Sequence, residues 1–152
     1  MPSLQPILLV EDNLNDVELV LNALKKNQIA NEIVIARHGG EALDYLYRRD
    51  KFEGMSSSPP LFIMLDLKMP KVDGLEVLKQ IKSNETLKLI PVVMLTSSRE
   101  ESDLVKSYRL GVNAYVVKPV DFTQFVEVIR QLGVFWALIN VPVPANTVSP
   151  IS

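Results

Sequence analysis

The sequence has no cysteine and only one histidine, His38. Disulfide bonds and thiol chemistry are therefore excluded. We expect His38 to lie at the surface or to cap a helix, because no second histidine can join it as a ligand. Long apolar runs are also absent: no stretch approaches the ~18 residues that a membrane span needs. Residues 1–6 lack the basic segment of a signal peptide.

An excess of charge of one sign is equally absent. The 16 basic and 18 acidic side chains leave a formal net charge of −2, without the basic excess that nucleic-acid binding requires. We therefore expect a cytoplasmic protein that binds neither nucleic acid nor membrane. Apolar residues are plentiful, since 47% of the 152 residues are hydrophobic. This composition predicts a folded domain rather than a disordered chain.

Short apolar runs alternate with amphipathic stretches along the chain. Five runs have the length and composition of buried strands: residues 7–10, 33–36, 61–65, 92–95 and 114–117. A stretch with helical spacing of apolar residues follows each run. The alternation predicts an α/β fold with a parallel sheet and helices on both faces. We expect one domain over residues 5–139, then a tail over residues 140–152 that has three prolines and no output domain.

Polar side chains directly follow four of the predicted strands. Glu11 and Asp12 follow the first strand, Asp66 the third, Thr96 the fourth and Lys118 the fifth. We expect them at one edge of the sheet, because ligands of such folds collect outside the carboxyl ends of the strands. Three carboxylates at one edge would repel each other unless a cation lay among them. Oxygen ligands without cysteine or histidine suit Mg²⁺.

Asp66 is the carboxylate best placed to react. A carboxylate can attack phosphorus and hold the phosphoryl group as an aspartyl phosphate. Such a transfer depends mainly on positioning and on electrostatic stabilisation of the phosphoryl oxygens. Lys118 would neutralise part of their charge as a compact cation, and Thr96 would offer a hydroxyl group. The pattern therefore predicts phosphoryl transfer to Asp66.

The same residues lie in motifs that resemble the receiver domain of bacterial two-component response regulators. The motifs are Leu9-Val10-Glu11-Asp12-Asn13, Leu65-Asp66-Leu67-Lys68-Met69-Pro70 with Asp73-Gly74, Leu95-Thr96-Ser97 and Val117-Lys118-Pro119. Thr96 lies 30 residues after Asp66 and 22 residues before Lys118, and both spacings match the family. The resemblance covers residues 5–138. It implies a doubly wound (βα)5, flavodoxin-like fold whose five parallel strands lie in the order 2-1-3-4-5.

The resemblance also implies roles in phosphoryl transfer and metal binding. Asp66 resembles the phosphoacceptor, which a sensor histidine kinase would phosphorylate. Asp12 resembles the direct Mg²⁺ ligand, and Glu11 would act through water where many members have aspartate. Asp66 itself and the backbone carbonyl of Lys68 would complete the protein ligands of the metal.

A second group of residues resembles the family's signalling switch. Lys118 is expected to pair with the phosphate, and its peptide bond to Pro119 is expected to be cis. Thr96 and Tyr115 resemble the switch pair: on phosphorylation Thr96 would move toward the phosphate and the Tyr115 ring would turn inward. The surface of the fourth helix, fifth strand and fifth helix would then change its preference for partners.

A narrower resemblance is to the single-domain response regulators paired with cyanobacterial phytochromes. It rests on the long loop 51–60, on Phe135-Trp136 in an extended last helix and on the exit Asn140-Val141-Pro142. It implies a bacteriophytochrome-type histidine kinase as donor, and hence light control. It also implies a homodimer formed through the fourth helix, fifth strand, fifth helix and tail.

The predicted last helix, from residue 122 to about residue 139, carries two apolar stripes. We expect one stripe, which includes Val126 and Ile129, to face the sheet. The other consists of Val128, Phe135 and Ile139 and is predicted to form the dimer interface, because an outer helix buries only one stripe. The alternative is that residues 141–144 fold back and cover it.

Three other functions are alternatives to a phosphorylated signalling protein. A phosphohydrolase with an aspartate nucleophile usually has a second aspartate two residues later, where this chain has Lys68. A nucleotide- or flavin-binding module would need an anion-binding first loop, but residues 11–16 are acidic. A degenerate receiver acting as a scaffold would lack part of the acceptor site. We expect a protein that signals through protein contacts and acts on no external substrate.

Overall fold

The computed structural model describes residues 5–26, 29–55, 58–67, 69, 72–96, 106 and 108–132. A five-stranded parallel sheet lies at the centre. Its strands are β1 (Ile7–Val10), β2 (Ile33–Ala36), β3 (Phe62–Asp66), β4 (Val92–Thr96) and β5 (Ala114–Val117). Their order is β2-β1-β3-β4-β5, which confirms the predicted topology.

Helices connect the strands and cover the sheet. In the described part of the chain these are α1 (Leu14–Lys26), α2 (Gly39–Tyr47), α3 (Gly74–Ser83) and a last helix (Phe122–Leu132), with 3-10 turns at Asp50–Phe52 and Leu87–Leu89. Residues 106, 108 and 109 are helical and belong to the predicted fourth helix, whose other positions lie outside the described residues. None of the described helices is long and apolar enough to span a membrane.

The sheet separates two apolar clusters, one on each face. Successive strand residues point to opposite faces, so Leu8 and Val10 pack with α2 and α3, while Ile7 and Leu9 pack with α1 and the last helix. Strands β1, β3 and β4 are buried along their whole length. Burial on both faces explains why these strands are continuous apolar runs rather than alternating ones.

Side-chain caps mark the starts of α2, α3 and the last helix, as Asn13 does for α1. His38, Asp73 and Asp121 each accept a hydrogen bond from the backbone N–H three residues later, at 3.1, 3.0 and 2.8 Å. A cap of this kind stabilises a helix by about 1 kcal/mol, because it satisfies an N–H group without an intrahelical partner. The predicted capping role of His38 is therefore confirmed.

The last helix buries one residue of the stripe that was predicted to form the dimer interface. Phe125 and Val128 are 1% and 3% exposed, and both belong to the cluster shared with α1. The ring centroid of Phe125 lies 6.5 Å from that of Phe62 in β3. Val128 is therefore a core residue, and its prediction as part of an exposed dimer stripe is wrong. The helix is apolar on more than one side, so its periodicity did not show which side turns inward.

Two site residues lie within strands rather than after them. Asp66 is the last residue of β3 and pairs with Leu95, while Thr96 is the last residue of β4 and pairs with Val117. The apolar runs predicted that these strands end one residue earlier, at residues 65 and 95. Because the sheet ladder continues to these positions, their backbones are held by neighbouring strands rather than by mobile loops.

Gly74, at the start of α3, holds the helix close to the end of β3. A Cβ atom at Gly74 would lie 2.2 Å from the carbonyl oxygen of Asp66 and 2.8 Å from Cα of Leu67. The backbone N–H of Gly74 donates to the carbonyl oxygen of Leu67 at 3.0 Å. Only a residue without a side chain permits this approach, so Gly74 helps to fix the backbone of Asp66.

We expect Gly74→Ala to lower the free energy of unfolding by about 2 kcal/mol, since the methyl group must displace backbone atoms. Urea denaturation would measure the change. Gly40→Ala is the matched control in α2, because the nearest atom to its added methyl group belongs to the His38 side chain, at 3.3 Å. Equal losses in both variants would contradict this account.

Candidate functional site

The predicted site residues meet at the carboxyl end of the sheet. Glu11 follows β1, and its N–H donates to the carbonyl oxygen of Ala36 at 2.9 Å. The N–H of Lys118, just after β5, donates to the carbonyl oxygen of Thr96 at 2.7 Å. These backbone bonds and the sheet ladder bring residues from distant parts of the chain to one edge.

Three carboxylates form a compact cluster at this edge. One carboxylate oxygen from each of Glu11, Asp12 and Asp66 lies within 4.8 Å of the others. Glu11 is fully buried and Asp66 is 3% exposed, while Asp12 is more accessible. Burying like charges together is unfavourable unless cations offset them.

Lys118 is the cation that the structure places against these groups. Its Nζ lies 2.8 Å from Oε1 of Glu11, 3.0 Å from Oδ2 of Asp16 and 3.2 Å from Oδ1 of Asp66, and its side chain is 12% exposed. The four carboxylates around it, counting Asp12, exceed its single positive charge by three when all are ionised. The site therefore has an excess of negative charge that favours a further cation.

Burial raises the pKa of Glu11 from 4.5 to about 7. The hydrogen bond with Lys118 opposes this shift, whereas the charge of Asp66 adds to it. Burial alone would lower the pKa of Lys118, but its hydrogen bonds to Glu11 and Asp16 and the charge of Asp66 raise the pKa above its ordinary value. Lys118 is thus a permanent cation, while Glu11 is partly protonated near neutral pH.

The donor chemistry fits a hard divalent cation. All three clustered side chains offer carboxylate oxygens, the ligands that Mg²⁺ and Mn²⁺ prefer. Oε2 of Glu11 accepts a hydrogen bond from the N–H of Asn13 at 3.2 Å. Oε1 of Glu11 is buried, and in the described part of the chain its polar contact is the Lys118 ammonium, 2.8 Å away. An additional cation would satisfy this oxygen.

The remaining predicted residues lie around this cluster or outside the described residues. Thr96 is 2% exposed at the end of β4, and the bond between Lys118 and Pro119 is cis, as expected. Tyr115 is 39% exposed on the edge strand β5, and its ring meets that of Tyr108 edge-on with centroids 5.5 Å apart. Residues 68, 135 and 139 (Lys68, Phe135 and Ile139) are not among the described residues.

Asp16 is a site residue that sequence reasoning did not identify. It belongs to the acidic segment 11–16 and lies in the first turn of α1, where an acidic side chain complements the helix dipole. The structure places its carboxylate on Lys118, 102 residues away in the chain. The available signal was its position one helical turn after the acidic loop, which brings it back to the carboxyl end of the sheet.

The fold and the site together define a doubly wound α/β domain with three clustered carboxylates and a lysine at the carboxyl end of its sheet. A sequence model of the response regulator receiver domain matches residues 7–130. The chain therefore belongs to the response regulator receiver family. Members of this family are generally signalling proteins, and receiver domains bind a divalent metal ion.

Similar proteins narrow the group within this family. Response regulator Rcp1 from Synechocystis sp. is 42% identical over 139 residues, which cover 91% of this chain and 92% of Rcp1. The structure of the bacteriophytochrome response regulator AtBRR has 61% identity and a TM-score of 0.83, covering 92% of this chain and 100% of AtBRR. The phosphorylated cyanobacterial phytochrome response regulator RcpA has 41% identity and a TM-score of 0.74, with coverages of 88% and 94%. Both resemblances noted in the sequence are thus confirmed.

The raised pKa of Glu11 predicts how stability depends on pH in the metal-free protein. From about pH 5 to about pH 7 the unfolded chain loses the Glu11 proton while the folded protein keeps it, so the free energy of unfolding falls with rising pH and then levels off. Urea denaturation in the presence of a chelator would measure this fall.

Replacing Glu11 by a neutral residue should remove that component. Glu11→Gln is expected to show a flatter pH profile, whereas Glu18→Gln, at an exposed site on α1, should keep the profile of the unmodified protein. The same profile in Glu11→Gln as in the unmodified protein would show that Glu11 has an ordinary pKa in the folded state.

Proposed function

We propose that this protein is a response regulator that accepts a phosphoryl group on Asp66 from a sensor histidine kinase, in a reaction that requires Mg²⁺. The observation that carries the proposal is the setting of the Asp66 carboxylate. It is nearly buried, 3.2 Å from the Lys118 ammonium, and shares a cluster with two further carboxylates. Of these three, Asp66 alone is held inside a strand.

Phosphoryl transfer would exchange one bond to phosphorus for another. An Asp66 oxygen attacks the phosphorus of a phosphohistidine, the N–P bond breaks, and its electron pair returns to the imidazole of the donor. Lys118 already lies where it can offset charge on the phosphoryl oxygens, and Thr96 lies at the end of the neighbouring strand. Glu11, Asp12, Asp66 and the carbonyl of Lys68 would hold Mg²⁺, which supplies further neutralisation of those oxygens when bound.

The proposed output is a change of surface rather than a reaction on another molecule. Tyr115 has an outward ring in contact with Tyr108, and Thr96 occupies the adjacent strand β4 nearer to Asp66. We propose that Thr96 moves toward the phosphoryl group and that Tyr115 then turns inward, which changes the surface around β5 and the last helix. The charge added at Asp66 would thereby shift the equilibrium between two arrangements of this surface.

The proposed phosphoryl donor is a phytochrome histidine kinase, which would make the signal dependent on light. Support comes from the similarity to the phytochrome response regulators AtBRR and RcpA, at 61% and 41% identity over most of the chain. We place the exchange in the cytoplasm because kinases draw their phosphoryl groups from ATP. The match of residues 7–130 to the response regulator receiver domain does not favour the phosphohydrolase or scaffold alternatives.

Phosphorylation of Asp66 is tested by intact mass after incubation with acetyl phosphate and Mg²⁺. The unmodified protein should gain one base-labile phosphoryl group, whereas Asp66→Asn should gain none. Asp12→Ala should lose the Mg²⁺-dependent gain and keep its unfolding temperature. Asp44→Ala, at a surface position on α2, is the matched control and should label normally.

An equal gain in Asp66→Asn, or none in the unmodified protein, would refute phosphorylation at this residue. The donor class is tested in the same assay with an autophosphorylated bacteriophytochrome kinase in its two light-adapted states. The proposal expects transfer to Asp66 at rates that differ between these states. Equal rates would argue against light control.

We also propose a homodimer, formed through the fourth helix, β5, the last helix and the tail. Val128 is excluded from the interface because it lies in the core, so Phe135, Ile139 and the exposed ring of Tyr115 are the apolar candidates. Analytical ultracentrifugation should show a dimer whose dissociation constant rises in Phe135→Ala. A monomer at concentrations of tens of micromolar would contradict the proposal.

A further inference from the structure

We propose that Asp16 is a positioning residue that holds Lys118 in the resting site and releases it when Asp66 carries a phosphoryl group. This inference rests on the proposed function, because it concerns the state of the lysine before and after phosphorylation. Asp16 lies outside the three-carboxylate cluster that fits the metal, so its role differs from that of a metal ligand.

The Lys118 ammonium is directed at Asp16 and Glu11 more than at Asp66. Nζ donates a hydrogen bond to Oδ2 of Asp16 at 3.0 Å, and it lies 2.8 Å from Glu11. Its distance to Asp66 is 3.2 Å, the longest of the three ion pairs. In the described part of the chain, Asp16 forms no other ion pair. Before phosphorylation, the Lys118 ammonium is therefore shared among three carboxylates. One of them belongs to Asp16, which has no proposed role in the phosphoryl transfer itself.

The start of helix α1 fixes the position of Asp16. Its N–H donates to Oδ1 of Asn13 at 3.0 Å, which caps the helix, and the N–H of Asn13 donates to Oε2 of Glu11 at 3.2 Å. Hydrogen bonds thus connect Glu11 to Asn13, Asn13 to Asp16, and Asp16 to Lys118.

A phosphoryl group on Asp66 would compete for the same ammonium. Lysine has three N–H donors, and in the resting site three carboxylates already surround them. The contact with Asp66 would pass to the phosphoryl oxygens, which lie farther out and carry more negative charge than the carboxylate, so the ammonium would be drawn away from Glu11 or Asp16. Glu11 is fully buried, so losing Lys118 would leave its charge without solvent, whereas the Asp16 side chain is 26% exposed and water can replace the ammonium. Asp16 is therefore the partner that is released.

Two consequences follow for the resting and phosphorylated states. In the resting state, Asp16 reduces the positive potential that Lys118 offers to an arriving phosphoryl group. In the phosphorylated state, α1 loses the side-chain contact that ties its first turn to the end of β5. A chemical change at Asp66 would thereby reach the exposed side of α1, which carries Leu14 and Leu19.

The affinity for beryllium fluoride, a mimic of the phosphoryl group, measured at saturating Mg²⁺ tests the first consequence. Asp16→Asn removes the charge with little change of shape and should bind the mimic about fivefold more tightly, as expected for a partly exposed ion pair. Glu18→Gln removes the same charge from an exposed position on α1 that makes no contact with Lys118, and should change affinity less than about twofold. Asp16→Glu keeps the charge and should stay closer to the unmodified protein than Asp16→Asn.

Amide hydrogen exchange over residues 14–18 tests the second consequence. Exchange should accelerate in the unmodified protein when the mimic binds, but should already be fast in Asp16→Asn and change little there. The role of Asp16 would be overturned by unchanged affinity in Asp16→Asn, by an equal effect of Glu18→Gln, or by no change in exchange. These results, with normal phosphorylation of Asp66, would leave the proposed function intact; no phosphoryl gain on the unmodified protein would overturn both.

Discussion

The site depends on a single interaction, the contact of the Lys118 ammonium with the carboxylates around it. Two carboxylates held within 4.8 Å repel each other by roughly 3 kcal/mol at an effective dielectric constant of about 20. Burial of Glu11 makes ionisation still less favourable, which its raised pKa expresses. Lys118 offsets part of this repulsion, and the site remains short of positive charge. That shortfall explains how one cluster can attract a divalent metal and yet have a cation ready for an anionic group.

The sheet makes such an arrangement possible. Asp66 and Thr96 are paired within strands, while Glu11 and Lys118 are tied to neighbouring strands by backbone hydrogen bonds. Strands buried on both faces cannot move apart without exposing the core, so the apolar clusters supply the free energy that holds the like charges together. The carboxylate cluster that suits a metal ion and the position of Asp66 therefore both depend on the buried sheet. The same sheet gives the fold of the response regulator receiver family.

The resemblance to receiver domains implied the strand order, and reasoning from the strand ends brought Glu11, Asp12, Asp66, Thr96 and Lys118 together correctly. The site was predicted correctly because the carboxyl ends of parallel strands lie at one edge of the sheet. Residues far apart in the sequence are therefore close in space when each directly follows a strand. Sequence reasoning failed for Val128, since a helix with apolar residues on several sides has no unique inward face until its packing partners are known. It also overlooked Asp16, whose position one turn after the acidic loop indicated the correct end of the sheet, but whose contact with Lys118 depends on the tertiary packing of α1 against the last helix.

Gly74 has a consequence for how this protein can diverge over evolutionary time. No side chain fits between the start of α3 and the carbonyl oxygen of Asp66, and Gly39 is similarly crowded by the carbonyl oxygen of Val72. Substitutions of Gly74 and Gly39 are therefore expected to be selected against, because they would displace the backbone around Asp66. Exposed positions such as Leu14 and Leu19 on α1 carry no such restriction. New signalling pairings can therefore arise through surface substitutions while the chemistry is inherited unchanged.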